Sequence, residues 1–426
     1  MKQLKQFVVY GVVASFTKLM PLLLLPIFLD YYNTVDYGVL ESLIALINIL
    51  SVVGTLQVEY SYQRYFYKYR RGKYSTFTVL FFVFLVGLIV SCLVSFFSSV
   101  LSTYLFESNK YSNEVSMASL LMLSINLITL TQVYFRFTEK KRLFVGISVF
   151  QSISCILISY VLVVFKGFGI YGYLIGQFSG NLLVFLVAMT YIYPSIKVFY
   201  SHKILIKFFK QSIPFIPSRF VSSVLQFGGA IIVLFLFGSD KVAQFSLANK
   251  FALIIKVALS AYSMVLFPYV YKNENDKLLN FKLKTLQVYL LPLVFLLCLL
   301  SFGVSELYLT KFVSAEYQVA ISYIPVLLLA HSTGFFREIG TVGLSISNRT
   351  DLISRSYLIA FLLYVFLFFM SQSFGLTFFV YGVFVTNFVL MMLVCYFSNS
   401  FKKLYVNLKV IFAGYTASVL TLILYF

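Results

Sequence analysis

The chain has 426 residues, of which 61% are hydrophobic and 11% charged, with a formal net charge of +19. Soluble domains carry about 25% charged and 45–50% apolar residues, so soluble enzymes and soluble nucleic-acid binders are excluded and the composition is that of a polytopic, all-α membrane protein. In such a chain a cationic excess marks cytoplasmic loops rather than nucleic acid.

Apolar runs of spanning length recur at 7–29, 37–60, 76–101, 115–137, 143–165 and 171–193. The first follows MKQLKQ, is too long for a signal-peptide core and lacks a small-residue cleavage site, so it reads as a retained helix. A basic stretch, PSIKVFYSHKILIKFFKQS, then precedes six more runs at 213–238, 244–268, 285–305, 317–346, 354–373 and 378–401. That gives twelve expected spans, six on each side. The last run, 410–426, has the bare length of a span and reads either as a thirteenth helix or as an interfacial segment. The expected domains are a six-helix lobe over 1–196, a cytoplasmic basic linker over 197–212, a second lobe over 213–405 and the extra segment 406–426.

Orientation follows from where Lys and Arg collect when loops alternate sides. One set of loops holds twenty-four cations, among them Arg64, Arg71, Lys140, Lys203, Lys277 and Lys402; the other holds Lys110, Lys166, Lys241 and Lys311. The N-terminus and the 197–212 linker are therefore expected on the cytoplasmic side. Six spans per half is an even number, so the halves enter the membrane in the same direction, as in transporters built of parallel repeats. A shift of 208 positions lays Tyr37, Gly38 and Arg64 over Phe245, Ser246 and Lys272, a weak likeness that agrees with this topology. Pro21 and Pro26 in the first span, and Pro214 and Pro217 in the seventh, are expected to bend those helices.

The stretch Ser212–Lys272 carries charge inside its apolar runs: Arg219 in the first, Lys250 and Lys256 in the second. A cation at bilayer depth costs about 2.5–3.5 kcal/mol on insertion scales and normally faces protein or a water-filled cavity, so this hairpin reads as the wall of a cationic cavity. Cys92, Cys155, Cys298 and Cys395 lie in apolar runs without metal-ligand or redox spacing, and neither metal nor cofactor is expected. No P-loop, DxD, GxSxG or HExxH occurs, and outward loops of about 5–15 residues leave no room for a catalytic domain; no enzyme is expected.

LLLLPIFLDYYNTVDYGVLESL near the start, ending in QRYFYKY, and the series QSIPFIPSRF, VAQFSLANKFALIIK and LFPYVYK carry a resemblance to Wzx-type O-antigen and capsule repeat-unit flippases. These form part of the polysaccharide-transport branch of the multidrug/oligosaccharidyl-lipid/polysaccharide flippase superfamily. The resemblance covers the twelve-span body through loose Pro, Tyr-Gly and Ala-Asn-Lys patterns. It implies two parallel six-helix lobes around a central cavity lined by the first, second, seventh and eighth spans, in a bacterial inner membrane. The implied cargo is an undecaprenyl-pyrophosphate-linked glycan, with a polysaccharide polymerase and a chain-length regulator as possible partners. The chain lacks an Asp within the first span, since Asp30 stands at its end, and this departs from the related cation-coupled drug exporters, which remain the alternative. A polysaccharide polymerase is the more distant rival, and the large outward loop expected of that class is missing.

On that arrangement Lys18, Arg219, Lys250 and Lys256 are expected to bind substrate, because cations, and the planar fork of Arg above all, match a pyrophosphate. Lys250 and Lys256, six residues apart, would point about 120° apart on a continuous helix. Glu41, Arg337 and Glu338 are expected to form ion pairs or a coupling element, the bland reading being pairs that only hold helices together. His331 reads as a packed, hydrogen-bonded residue and Glu59 as a solvated or interfacial pair with Arg64. The run EYSYQRYFYKYRRGK places aromatics at headgroup level and cations against anionic lipid, with no nucleic acid required.

Overall fold

The computed structural model describes residues 25–69, 72–213, 216–272, 278–347, 349–400 and 406–425. Among them ten helical stretches are long and apolar enough to cross a membrane, and each expected span from the second to the twelfth overlaps one of them, the eleventh and twelfth sharing one. The first expected span lies mostly outside the described residues. Helices dominate because a bilayer offers backbone groups no water, and a helix satisfies them internally. Hydroxyls in the spans follow the same rule: Ser42, Ser51 and Thr129 donate to carbonyls one turn back, at 2.9, 2.9 and 2.7 Å. The chain divides into two compact units, one ending at Val242 and one starting at Ala243.

In the first unit, α1 (Leu25–Tyr31) leads to α2 (Thr34–Thr55), whose start is fixed by Asn33 accepting the amide of Asp36 at 2.7 Å. Gly38 of the Tyr-Gly pattern sits where a Cβ would overlap the carbonyl oxygen of Ser239. Thr34 donates to Asp240 at 2.7 Å beside it, so this junction is closed by backbone proximity as well as by a side chain. Helix α2 ends at Leu56 and Gln57, both left-handed (φ 44° and 56°), and the chain turns into α3 (Val58–Tyr65).

Next come α4 (Thr76–Phe96), α5 (Ser98–Phe106), α6 (Ser112–Phe137), α7 (Lys141–Tyr160) and α8 (Gly169–Ile192). Helices α7 and α8 pack backbone to backbone, since Cβ atoms on Gly176 and Gly180 would run into the main chain of Ser159 and Cys155. A ladder of uncharged groups crosses α6, α7 and α8. Gln132 donates to Gln151 at 2.6 Å, Gln151 to Asn181 at 2.6 Å, and Asn181 to the Gln177 carbonyl at 2.8 Å.

The basic stretch after α8 folds as α9 (His202–Ser212) with Leu205, Phe208 and Ser212 buried. Ser61 donates to the Phe208 carbonyl at 2.8 Å, Ser212 donates to the Gln57 carbonyl at 2.9 Å, and Tyr65 stacks on Phe208 at 5.7 Å. Part of the aromatic run is therefore core: Tyr62 and Phe66 are buried, Tyr65 and Tyr69 half-buried, and Tyr60 and Tyr67 exposed. Helix α10 (Ile216–Phe237) packs along α2 in this same unit, with Ser223 donating to the Asn48 carbonyl at 3.5 Å. Pro217 stands in the first turn of α10, where a missing N–H costs nothing, so it does not bend the helix interior.

Helix α11 (Ser239–Ala252) leads into the second unit, followed by α12 (Ile254–Lys272), α13 (Leu279–Phe312), α14 (Ile324–Ser332) and α15 (Gly334–Ile346). The eighth expected span is thus interrupted at Leu253 and the tenth, after a 3-10 stretch over Ala315–Tyr323, at Thr333, without a proline at either interruption. The segment α16 (Thr350–Ser400) is two helices meeting at Gly375, whose φ of 83° and ψ of −179° suit glycine alone. The chain reverses there, because Tyr364 and Phe379 rings lie 6.0 Å apart and a Cβ on Gly382 would touch the Leu367 side chain at 3.4 Å. The final run forms α17 (Leu408–Tyr425), docked by Tyr415, which is buried against Phe295, Phe336 and Phe388 and hydrogen-bonded to Ser332 at 2.8 Å. That packing favours a docked helix over a segment lying loose on the membrane surface.

Candidate functional site

The two breaks in the second unit collect most of its membrane-embedded ionisable groups. At the first, the Leu253 amide still reaches the Asn249 carbonyl at 2.9 Å, but the Lys256 amide bonds to Leu253 at 2.9 Å, a tighter three-residue step. Lys250 and Lys256 therefore sit on two different helices, α11 and α12, and their separation is set by the break. Both are half-buried. At the second break His331 ends α14, and Arg337 and Glu338 lie one turn into α15, also half-buried.

The breaks are tied together by Asn249 and His331, Oδ1 to Nε2 at 2.8 Å, with His331 only 8% exposed. Its hydrogen-bonded, packed state is as the sequence implies. Lys256 and Arg337 both lie within electrostatic range of the imidazole. A Cβ on Gly334 would meet the end of the Leu259 side chain, which brings α12 and α15 close just past the breaks. The Tyr262 hydroxyl is buried near Glu338 and makes no hydrogen bond among the described residues. Lys256, His331 and Arg337 thus form one group, with Glu338 and Tyr262 beside it.

In the first unit Arg219 is exposed on α10. Its carboxylate neighbour is Glu59, which is partly buried on α3, accepts from Gln63 at 2.9 Å and also faces Arg136. Glu59, just past the left-handed turn at Leu56–Gln57, is thus half-buried rather than fully solvated. Burial pushes its carboxyl above the ordinary range, against the opposing pull of Arg136, Arg219 and the Gln63 hydrogen bond. Glu41 is 6% exposed in the body of α2. Lys18 lies outside the described residues. Among the described residues no group of three His, Cys, Asp or Glu is placed to hold a metal ion.

Sequence reasoning missed the roles of Asn249 and Tyr262. Asn249 had a signal, as the Asn of the Ala-Asn-Lys pattern one residue before Lys250. Tyr262 had none, being one aromatic in an apolar helix.

Ionisable groups at interrupted helices within a membrane-spanning bundle are costly to bury and mark positions where membrane proteins handle ions or substrates. Several solved structures share the fold at low identity. The lipid II flippase MurJ in an inward closed conformation matches with a TM-score of 0.74 and 17% identity, over 98% of this chain and 92% of that one. An inward-facing multidrug resistance MATE family transporter of the MOP superfamily gives 0.67 and 14%, over 90% and 94%. A MOP superfamily transporter from Pyrococcus furiosus gives 0.63 and 14%, over 93% and 95%. No curated protein matches in sequence. The model of the polysaccharide biosynthesis protein family matches residues 3–274, well over half of the chain. With the match covering the first unit and the start of the second, this chain belongs to the polysaccharide biosynthesis protein family.

Proposed function

We propose that the protein is a flippase that carries an undecaprenyl-pyrophosphate-linked oligosaccharide, an O-antigen or capsule repeat unit, from the cytoplasmic to the outer leaflet by alternating access. In this reading twelve spans form two parallel six-helix lobes around a central cavity, with α17 as an added helix and the N-terminus cytoplasmic in a bacterial inner membrane. The observation that carries it is the sign of the embedded charge. Leaving aside Arg136, Arg355 and Glu59, each within two residues of a span's end, the expected spans hold the cations Lys18, Arg219, Lys250, Lys256 and Arg337 against Glu41 and Glu338. An excess of cations suits an anionic cargo such as a pyrophosphate, and works against export of cationic drugs. Each charged hydrogen bond to the cargo contributes about 1.5–3 kcal/mol, so several together hold a diphosphate. Glu41, Arg337 and Glu338 serve as the partners that cations exchange during the cycle.

The test is surface glycan in a deletion strain complemented at native expression. Wild type restores export; the Arg219→Ala, Lys250→Ala double variant inserts normally but leaves the lipid-linked glycan in the inner leaflet. Arg219→Lys restores part of it, keeping charge without the fork. Normal export by the double variant sinks the cationic-cavity reading.

A further inference from the structure

The segment between α8 and α9 is held in place in an unusual way for a linker. The Lys197 amide donates to the Lys73 carbonyl at 2.8 Å. Thr78 donates to the Phe199 carbonyl at 3.1 Å and accepts from the Ser201 amide at 3.1 Å. Three bonds thus strap residues 197–201 across the first turn of α4. The strap turns its apolar side chains outward, Val198 at 53%, Phe199 at 58% and Tyr200 at 41% exposed. Outward apolar groups on a fixed backbone need a partner other than water.

Tyr200 shows which partner. Its ring meets Phe81 edge to face at 5.7 Å, and Phe81 begins an exposed apolar strip on α4 that continues through Phe84, Leu85 and Leu88. A strip of this kind on a membrane span faces acyl chains. The aromatic pair therefore marks the level at which hydrocarbon gives way to headgroups, where Tyr is favoured. Cations stand around that level. Lys73, Lys197 and Lys203 are exposed, and Lys197 lies 5.3 Å from the centre of the Tyr74 ring. Residues 72–81 and 193–212 carry five lysines and no carboxylate. On α9 the buried face is Leu205, Phe208 and Ser212, which leaves Lys203 and Lys210 on the opposite, exposed face.

We propose that the strap and the adjoining end of α4 form a binding site for an anionic phospholipid. The lipid's phosphate meets Lys73, Lys197 and Lys203, its glycerol level meets Phe199 and Tyr200, and its chains run along Phe81, Leu85 and Leu88. The site is built wholly within the first unit, and its occupant is a resident lipid rather than the cargo. It deepens the reading that basic loops face the cytoplasmic leaflet, and that leaflet supplies the lipid.

The test uses the purified full-length chain in detergent, exposed to equimolar phosphatidylglycerol and phosphatidylcholine, with bound lipid counted by native mass spectrometry. Wild type retains phosphatidylglycerol in preference. The Lys73→Gln, Lys197→Gln, Lys203→Gln variant loses that preference, by about fivefold per lysine, the equivalent of about 1 kcal/mol each. The corresponding triple Arg variant keeps it. Tyr200→Ala retains less of both lipids while still preferring the anionic one. If the triple Gln variant is not monodisperse, the single substitutions carry the same comparison, since all three side chains are exposed. Equal retention of the two lipids by wild type overturns the proposal, as does an unchanged preference in the Gln variants. Displacement of the lipid by millimolar inorganic phosphate also overturns it, because the site would then be one for soluble phosphate. None of these outcomes depends on orientation or cargo, so the flippase reading stands or falls separately.

Discussion

The interiors of the two units use polar groups differently. In the first, α6, α7 and α8 are joined by amides and hydroxyls, the Gln132, Gln151 and Asn181 ladder, and by the glycine contacts at Gly176 and Gly180. In the second, ionisable groups gather where α11 gives way to α12 and α14 to α15. An uncharged ladder pairs its amides with one another and costs little to bury, whereas a charged group in a bilayer is expensive. The contrast assigns the α6–α8 layer to holding shape and the broken helices to work that requires charge.

That contrast can be broken most severely at the glycine seam. Gly180→Leu places atoms where the Cys155 backbone stands, its Cβ alone 2.7 Å from Cys155 Cα. No side-chain rotation relieves a clash with main chain, so we expect loss of monodisperse protein on size exclusion, a cost above the 1–3 kcal/mol of ordinary overpacking. Normal yield and melting temperature would refute the close α7–α8 packing.

The second unit should respond in the opposite sense, through transport more than fold. Asn249→Leu and His331→Leu each remove one side of the 2.8 Å bond between the breaks. We expect glycan export to fall at least about tenfold for each, with the double variant no worse than either single, as for two groups acting as one unit. Additive losses would show that the two residues serve separate purposes. In the first unit, Gln151→Leu cuts two hydrogen bonds of 2.6 Å. Interhelical bonds in membranes average about 0.6 kcal/mol, so stability drops by about 1 kcal/mol while export per folded molecule is unchanged. A selective loss of export there would erase the division of labour.

The smallest effect tests Glu59, where charge does enter the first unit. Its carboxyl is raised above its ordinary 4.5, chiefly by burial. An acid raised on folding penalises the folded state at pH above its folded pKa, and the penalty fades as pH falls from there towards the ordinary value. Glu59→Gln removes that penalty. The variant's melting temperature should exceed wild type at neutral pH, and the gap should close as pH falls below the ordinary value. A pH-independent gap would mean that Glu59 does not titrate in this window.

Much of the fold was legible because bilayer physics writes it in long apolar runs: Thr76–Phe96 and Gly169–Ser195 fall almost where hydropathy puts them. The breaks at Leu253 and Thr333 were not, since neither has a proline within the turn and both are settled by tertiary contacts such as Asn249 with His331 and Gly334 with Leu259. Pro217, the residue that reads as a bend, merely starts a helix. The charged site residues were legible as types, because any Lys or Arg in an apolar run stands out. Their grouping was not: Glu59, within electrostatic range of Arg136 and Arg219, follows the left-handed turn at Leu56–Gln57, for which the sequence Leu-Gln offers no glycine or asparagine as a cue.

The hairpin turned on Gly375 bears on how the protein enters its membrane. From Ser356 to Phe401 there is no Asp, Glu, Lys or Arg, and the two helices meet at one residue instead of at a polar loop. A nascent segment of this kind has no charged or bulky connection to drag across the lipid. The pair can leave the insertion machinery sideways as a folded unit, its orientation dictated by Arg349 and Arg355 before it and Lys402 and Lys403 after it in the sequence. Placing a single Lys or Asp at the turn would oblige the cell to translocate a charge where none is now moved, and the last two spans would become the slow step of assembly.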